Sequence, residues 1–385
     1  MMRELESIIS AFEKAQAEDL QCTLATVVHV EGSSYRKAGA RMLVDENGLM
    51  TGAISGGCLE GDALRKALHA MHQNKNKLIS YDTSDEDDAV IGAQLGCNGI
   101  IQVLFEPINT EEENNPIALL KEVISSKERK VIVSLFNLNK HKEQKGTLLV
   151  FDSQLSTSNT LSDDILFEQI KNDASKVLEH EFPHFGEYHK DDEVQHAFLE
   201  HYTPPPTLVL VGAGNDAQVL SNMADILGWD IVVTDGRPTH ANPERFISSC
   251  QVIVTKPEQF LDSVTIDNRA AFVLISHNYN YDLAVLKLLL NYPEIPYIGI
   301  LGPKKKFNRM LDDLQLMGTE ISNEQMSKIY APIGLNIGAE TPAEIALSVL
   351  SEIKAALTNS NGKPLREKQG TIHDKKHHQF KVTNL

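Results

Sequence analysis

Three groups of residues in this chain have types and spacings that could do chemistry. The first is SGGCLEGD, from Ser55 to Asp62, a lone thiol after two glycines and before a helical pattern. Gly56 and Gly57 let the backbone take positive φ and expose its amides, and a helix starting near Cys58 would favour a thiolate through its dipole. Such a nest suits a small anionic or electrophilic ligand. Glu60 and Asp62 oppose thiolate formation, and a buried packing cysteine is the alternative; the residues leave the two readings balanced.

The second group is VGAGNDA, residues 211 to 217, between an apolar run and a helical pattern. Gly212 permits a tight turn and Gly214 a close approach of backbone to a diphosphate at the helix N-terminus, with Ala217 in place of a third glycine. Asp235 follows Gly214 by 21 residues, at the end of DIVVTD, where an acid can hold ribose hydroxyls. A nucleotide, NAD(P) included, is the expected ligand class, although folds of this kind also keep the turn for packing alone. The third group lies in the loops after two later apolar runs. His277, Asn278 and Tyr279 follow AFVLIS, and Lys304, Lys305 and Lys306 follow YIGI. Lysines at a sheet mouth suit phosphate, while a solvated helix face is the simpler reading for Lys305 and Lys306.

The elements that must position these groups are readable from periodicity. Leu5, Ile8, Ile9 and Phe12 recur at helical spacing, CTLATVVHV (22 to 30) reads as a strand, and residues 41 to 45 form the return of a hairpin with an exposed basic loop. Residues 59 to 72 place Leu59, Ala63, Leu64, Ala67, Leu68 and Met71 on one helical face. GIIQVLFEPI (99 to 108) is another strand; VIVSLF and GTLLVF are strands in a polar stretch from 110 to 200 that is an elaboration of the first domain. YTPPPT (202 to 207) breaks the chain, since consecutive prolines neither extend a helix nor pair in a central strand.

Beyond it, TLVLVG, DIVVTD, CQVIVT, AFVLIS and YIGI are nearly continuous apolar runs, as strands buried on both faces of a parallel sheet should be. Thr341, Pro342 and Glu344 mark a capped helix start. The fold class is therefore α/β: an N-terminal α+β domain (1–200), a C-terminal Rossmann-like doubly wound parallel sheet (205–357), and a polar, flexible tail (358–385).

Composition narrows the partners. Lysine and arginine total 36 against 53 acidic residues, a formal charge of −17, which argues against a nucleic-acid or anionic-membrane surface. Four cysteines, at 22, 58, 97 and 250, make no CxxC pair, and no apolar run of about eighteen residues occurs. A cytoplasmic protein is expected, and a homodimer is its simplest assembly.

The motifs GSSYRKAGARMLV, GAISGGCLEGD and LGCNGIIQVLFEP in the first part resemble those of the XdhC/CoxI family. So do VGAGNDA, VTDGRP, SHNYNYD, YIGILGPKKK and APIGLNIGAETPAEIALSVLSEI in the second. These proteins are accessory factors of xanthine dehydrogenase and related molybdenum hydroxylases. The resemblance implies a chaperone that binds the molybdenum cofactor (molybdopterin), supports its sulfuration and delivers it to the apo-hydroxylase. It carries Cys58 and Cys97 over as the thiols for molybdenum or sulfur handling, within Ser55, Gly56, Gly57 and Glu60. It also makes Arg36 and Arg41 partners for the cofactor's phosphate or oxyanions, and adds Arg237 to the second-domain positions Gly212, Gly214, Asp235, His277 and Lys304.

The chain departs from the family pattern at Asn215 and Asp216, where a histidine commonly follows the second glycine, and at Asn98, where a glycine is usual. An acid at 216 meets a diphosphate badly. Two other readings remain: an NAD(P)-dependent oxidoreductase using Asp235 for ribose and His277 as acid or base, and a sulfurtransferase carrying a persulfide on Cys58 or Cys97, fed by a cysteine desulfurase.

Overall fold

The computed structural model describes residues 2–32, 34–82, 99–139, 141–157, 159, 161–190, 193–249 and 251–369. The chain divides between Pro204 and Pro205 into two compact units. Cys97, Asn98, Cys250 and the tail histidines His373, His377 and His378 lie outside the described residues.

The first unit runs α1 (Met2–Ala17), β1 (Cys22–Gly32), β2 (Arg41–Asp45), β3 (Met50–Gly52), α2 (Glu60–Gln73), β4 (Lys77–Asp82) and β5 (Gly99–Pro107). It continues with α3 (Pro116–Ser125), β6 (Lys130–Phe136), β7 (Gly146–Phe151), α4 (Asp164–His180), β8 (His184–Lys190) and β9 (Glu193–Tyr202). Strands β3-β2-β1-β5-β4 form one antiparallel sheet with β1 at its centre. Alternation along β1 sends Cys22 and Leu24 into a core with Leu5, Ile8 and Phe12 of α1, and Ala25 and Val27 into a second core with Ala63 and Ala67 of α2. Both faces of β1 are therefore covered, and its first seven residues are buried.

The polar stretch builds a second antiparallel sheet, β7-β6-β9-β8. Its β6 and β7 match VIVSLF and GTLLVF, whereas β8 and β9, carrying His184, Glu187, His196 and Glu200, escape an apolar-pattern search. Helix α4 covers one face with Leu166, Ile170, Ala174 and Val177. From this sheet, Ile132, Val150 and Tyr202 enter the α1 core.

One expectation is corrected in this unit. The hairpin between β1 and β2 exists and Arg41 opens β2, but instead of facing a cofactor's phosphate or oxyanions Arg41 is 1% exposed, and its Nη1 and Nη2 donate to Glu200 at 3.2 and 2.5 Å. Position 41 points into the protein because the inward face of β2 is set by its pairing with β1. Arg41 joins the two sheets and, in this conformation, offers nothing to a ligand.

Glu106, on β5, is also buried, accepting from the Thr147 amide at 2.6 Å and its hydroxyl at 3.1 Å. Burial pushes its carboxyl up from 4.5 to about 7, against the opposing pull of Thr147 and Arg41. Between those two values the folded protein keeps a proton that the unfolded chain has released, so stability falls as pH rises through that window, by about 3 kcal/mol at most. Glu106→Gln should remove this slope. Urea unfolding at pH 5 and pH 8 should show the variant gaining on the parent as pH rises, and parallel pH dependences would contradict the assignment.

The second unit contains β10 (Thr207–Val211), α5 (Asn215–Ile226), β11 (Asp230–Asp235), β12 (Gln251–Val254), β13 (Ala270–Leu274), α6 (Tyr279–Leu289), β14 (Tyr297–Ile300), α7 (Lys304–Leu316), α8 (Asn323–Ser327), β15 (Ile329–Tyr330) and α9 (Pro342–Leu357). Its strands pair in parallel in the order β12-β11-β10-β13-β14-β15, the doubly wound arrangement whose order reverses at β10. One face packs against α5 and α9, the other against α6 and α7. Helix α9 begins as its sequence indicates: Thr341 accepts from the Glu344 amide, the Glu344 carboxylate accepts from the Thr341 amide, and Pro342 takes the first turn.

Candidate functional site

In the second unit the glycine turn is present and rigid. Gly212 has φ +128, and a Cβ there would lie 2.5 Å from the Ile275 carbonyl and from Ser276 Cα, so only glycine fits between β10 and the loop after β13. Gly214 caps α5. Arg245 fastens the turn from outside, its Nη1 donating to the carbonyls of Ala213 at 2.8 Å and His240 at 3.0 Å, and its Nη2 to Asn215 Oδ1 at 3.0 Å. Sequence reasoning did not single out Arg245, whose partners in the turn lie about 30 residues away in the chain.

Asp235 has a different task from the one expected of it. Both of its oxygens are occupied: Oδ1 accepts from the Arg237 amide and Nε at 2.9 Å, and Oδ2 from the Ala213 amide at 2.9 Å and Arg237 Nη2 at 2.7 Å. Burial pushes the carboxyl up, but these bonds outweigh it and hold Asp235 below the usual carboxylate range. It is 3% exposed, with no acceptor position left for a ribose. The acid ties the glycine turn to Arg237 and aims the guanidinium.

His277 stands beside the turn in the left-handed region, φ 57, with its Nε2 3.4 Å from Asp216 Oδ2. A Cβ on Gly214 would meet its ring at 3.6 Å. The departure at Asp216 is thus paired with a histidine from the neighbouring loop. That loop is pinned by the Ser276 hydroxyl, which donates to buried Asp282 at 2.5 Å, and by Lys306 Nζ, which reaches Asp282 at 2.7 Å and the Leu301 carbonyl at 2.9 Å. Lys306 is therefore a brace, whereas Lys304 and Lys305 are exposed at the start of α7.

Asp235, Gly236, Arg237, Ser276, His277 and the first turn of α6 line a cleft of about 530 Å³ at the carboxyl ends of β11 and β13. Open parallel sheets place ligands outside these strand ends, where the order reverses. The structure thus brings Asp235, Arg237 and His277 to one cleft, with Gly214 against His277.

In the first unit the thiol turn is organised by Ser55. Its hydroxyl donates to Glu60 and accepts from the amides of Gly57 at 3.2 Å and Leu59 at 3.1 Å, while Cys58 Sγ donates to it at 3.5 Å. The Ser55 amide donates to Glu60 Oε1 at 2.8 Å. Burial acts to raise the Glu60 carboxyl, yet the bonds from Ser55 and from the amides of Glu60 and Leu59 hold it below its ordinary value. Asp62 accepts from Tyr81 at 3.1 Å and Arg65 at 2.9 Å. Both acids are committed to these partners.

Cys58 is half-buried at the start of α2, beside Gly57, which has φ +111 and open space on its Cβ side. The ring of exposed Tyr35 lies against Gly56, 3.1 Å from where its Cβ would be. Arg36 pairs with Glu4 and donates from Nε to the Ala53 carbonyl at 3.2 Å. Cys22, by contrast, is a packing residue: burial, reinforced by Asp45, pushes its thiol up to about 11. Among the described residues no helix is long and apolar enough to cross a membrane.

The chain has recognisable relatives. Residues 208–353 match the model of the XdhC Rossmann domain, and residues 15–82 that of the XdhC and CoxI family. A Bacillus subtilis protein named as a probable xanthine dehydrogenase subunit is 33% identical over 352 residues, 91% of this chain and 97% of its own length. Escherichia coli "Molybdenum cofactor insertion chaperone PaoD" is 24% identical over 330 residues, 86% of this chain and 81% of that one. A crystal structure described as a xanthine dehydrogenase from Bacillus halodurans superimposes with a TM-score of 0.71 at 28% identity, covering 93% of this chain and 98% of the other. With both parts of the chain matched and a one-third-identical relative spanned almost end to end, this chain belongs to the XdhC and CoxI family.

Proposed function

We propose that this protein is an accessory factor that takes up molybdenum cofactor as cargo, supports its sulfuration and passes it to an apo molybdenum hydroxylase of the xanthine dehydrogenase type. The observation that carries the reading is the alignment with a protein named as a molybdenum cofactor insertion chaperone, over 81% of that protein's length. The thiol turn fits such a cargo. Cys58 is a soft donor, its turn is fixed by Ser55, and the space beside Gly57 is open to an incoming group. Cys97 as a second thiol, a cysteine desulfurase as sulfur source and assembly as a homodimer belong to the same proposal.

The test is anaerobic incubation of the purified protein with molybdenum cofactor, reading retained pterin by fluorescence after oxidation. Parent protein should retain cofactor, and Cys58→Ser should retain about tenfold less, the loss of one good soft ligand. Ser55→Ala should lie between them, since it removes the hub of the turn while keeping the thiol. Folded parent protein that retains no pterin would overturn the proposal.

A further inference from the structure

The cleft in the second unit has an uncommitted cationic edge. Arg237 binds Asp235 through Nε and Nη2, side-on, and Nη2 also lies 3.4 Å from the Ser276 carbonyl. Nη1 makes no hydrogen bond to the described residues, and the side chain is 47% exposed. The fork is thus held by one edge, and Nη1 on its other edge is left for a ligand. The ring of His277, 58% exposed, lines the same cleft, with its Nε2 3.4 Å from Asp216 Oδ2. The Tyr281 ring also lines the cleft, 3.2 Å from where a Cβ on Gly236 would be, and its hydroxyl is taken by the Thr255 carbonyl at 2.8 Å.

The buried acids at the cleft each have a cationic partner, even though the chain carries −17. Asp235 is saturated and bridged by Arg237, and Asp282 by Lys306, so neither presents an unpaired negative charge to a ligand. Arg237 and exposed Lys304 and Lys305 occupy the same carboxyl edge of the sheet. The glycine turn itself is a poor dinucleotide site, because Asp235, the acid placed for a ribose, has both oxygens filled.

We propose that this cleft, and not the glycine turn, is a phosphate-monoester site in which Arg237 Nη1 donates to the phosphate oxygens, with the His277 ring lining the site beside it. A guanidinium edge matches a tetrahedral oxyanion that offers several acceptors. The cleft of about 530 Å³ has room for an organic group beside the phosphate, along Tyr281. Resting on the accessory-factor reading, the ligand is the molybdenum cofactor bound through its own terminal phosphate; a mononucleotide is the other source of the same chemistry.

Two measurements on the full-length protein test this. Calorimetric titration with 5′-CMP, beside cytidine, isolates the phosphate. Arg237→Lys keeps the charge and loses the fork, and His277→Asn keeps a residue that tolerates the left-handed region. Arg237→Lys should weaken 5′-CMP binding by about tenfold or more, the usual effect of losing a charge-assisted bond, and His277→Asn by less, with cytidine unbound and Lys287→Gln unchanged. Equal 5′-CMP affinity in parent and Arg237→Lys, or cytidine binding as tightly as 5′-CMP, overturns the site. The fluorescence of Trp229 in the core of this unit reports that each variant is folded.

The second measurement is cofactor retention by Arg237→Lys. Undiminished retention removes the phosphate placement and leaves the accessory role standing. Arg237-dependent 5′-CMP binding in a protein that takes up no cofactor has the opposite meaning: the site stands, and the accessory reading falls.

Discussion

Gly212→Ala should abolish stable folding of the second unit. The new Cβ would lie 2.5 Å from backbone atoms of Ile275 and Ser276, and no side-chain rotation relieves a contact with backbone. The backbone is equally fixed, because Gly212 donates to the Thr234 carbonyl at 2.7 Å and Ile275 to the Val211 carbonyl at 2.8 Å on either side of it. Left-handed strain and overpacking together cost about 4 kcal/mol, a large fraction of the stability of a domain this size. The single tryptophan makes the measurement direct, since Trp229 is 7% exposed in the core between β11, α5 and α9. Its fluorescence transition in urea should shift to much lower concentration or vanish. Gly214→Ala is the comparison: it meets only the edge of His277 at 3.6 Å and should change the midpoint little. Equal behaviour of the two variants would refute the account of the turn.

Breaking the buried pair between Arg41 and Glu200 should destabilise the first unit on a similar scale. Both side chains are buried, at 1% and 3% exposure, and Gly39 leaves no room for anything but the Glu200 carboxylate, which a Cβ there would approach to 2.5 Å. Arg41→Met or Glu200→Leu alone strands a buried charge at a cost of about 3–5 kcal/mol. The double variant Arg41→Met with Glu200→Leu should recover much of that loss, since two apolar residues strand no charge. Among the described residues Arg41 Nε has no hydrogen-bond partner even in the parent, which makes the recovery larger. Trp229 lies in the other unit, so the readout is hydrogen exchange of β1 and β6 amides. Additive effects of the two single replacements would show that the pair is not coupled.

Much of the framework was open to reading from local pattern. Buried parallel strands announce themselves as apolar runs, so β10, β11, β13 and β14 fell within a residue or two of the runs that marked them. The capped start of α9 and the thiol turn before α2 are encoded within a few consecutive residues. The strands β8 and β9 were missed for the complementary reason: they carry histidines and glutamates whose partners lie elsewhere in the chain.

The roles of charged site residues depended on such distant partners. Arg41 looked like a ligand-binding residue until Glu200, 159 residues away, was brought against it. Asp235 looked free for a ribose, yet Arg237 two residues on and the Ala213 amide fill its oxygens. Asp216 looked repulsive until His277 came over it from the loop after β13. Periodicity is a property of neighbouring residues and survives in the sequence, so it located the glycine turn and Cys58. Which carboxylate neutralises which cation is settled by strand register and loop packing, and these emerge only when segments far apart in the chain are folded together.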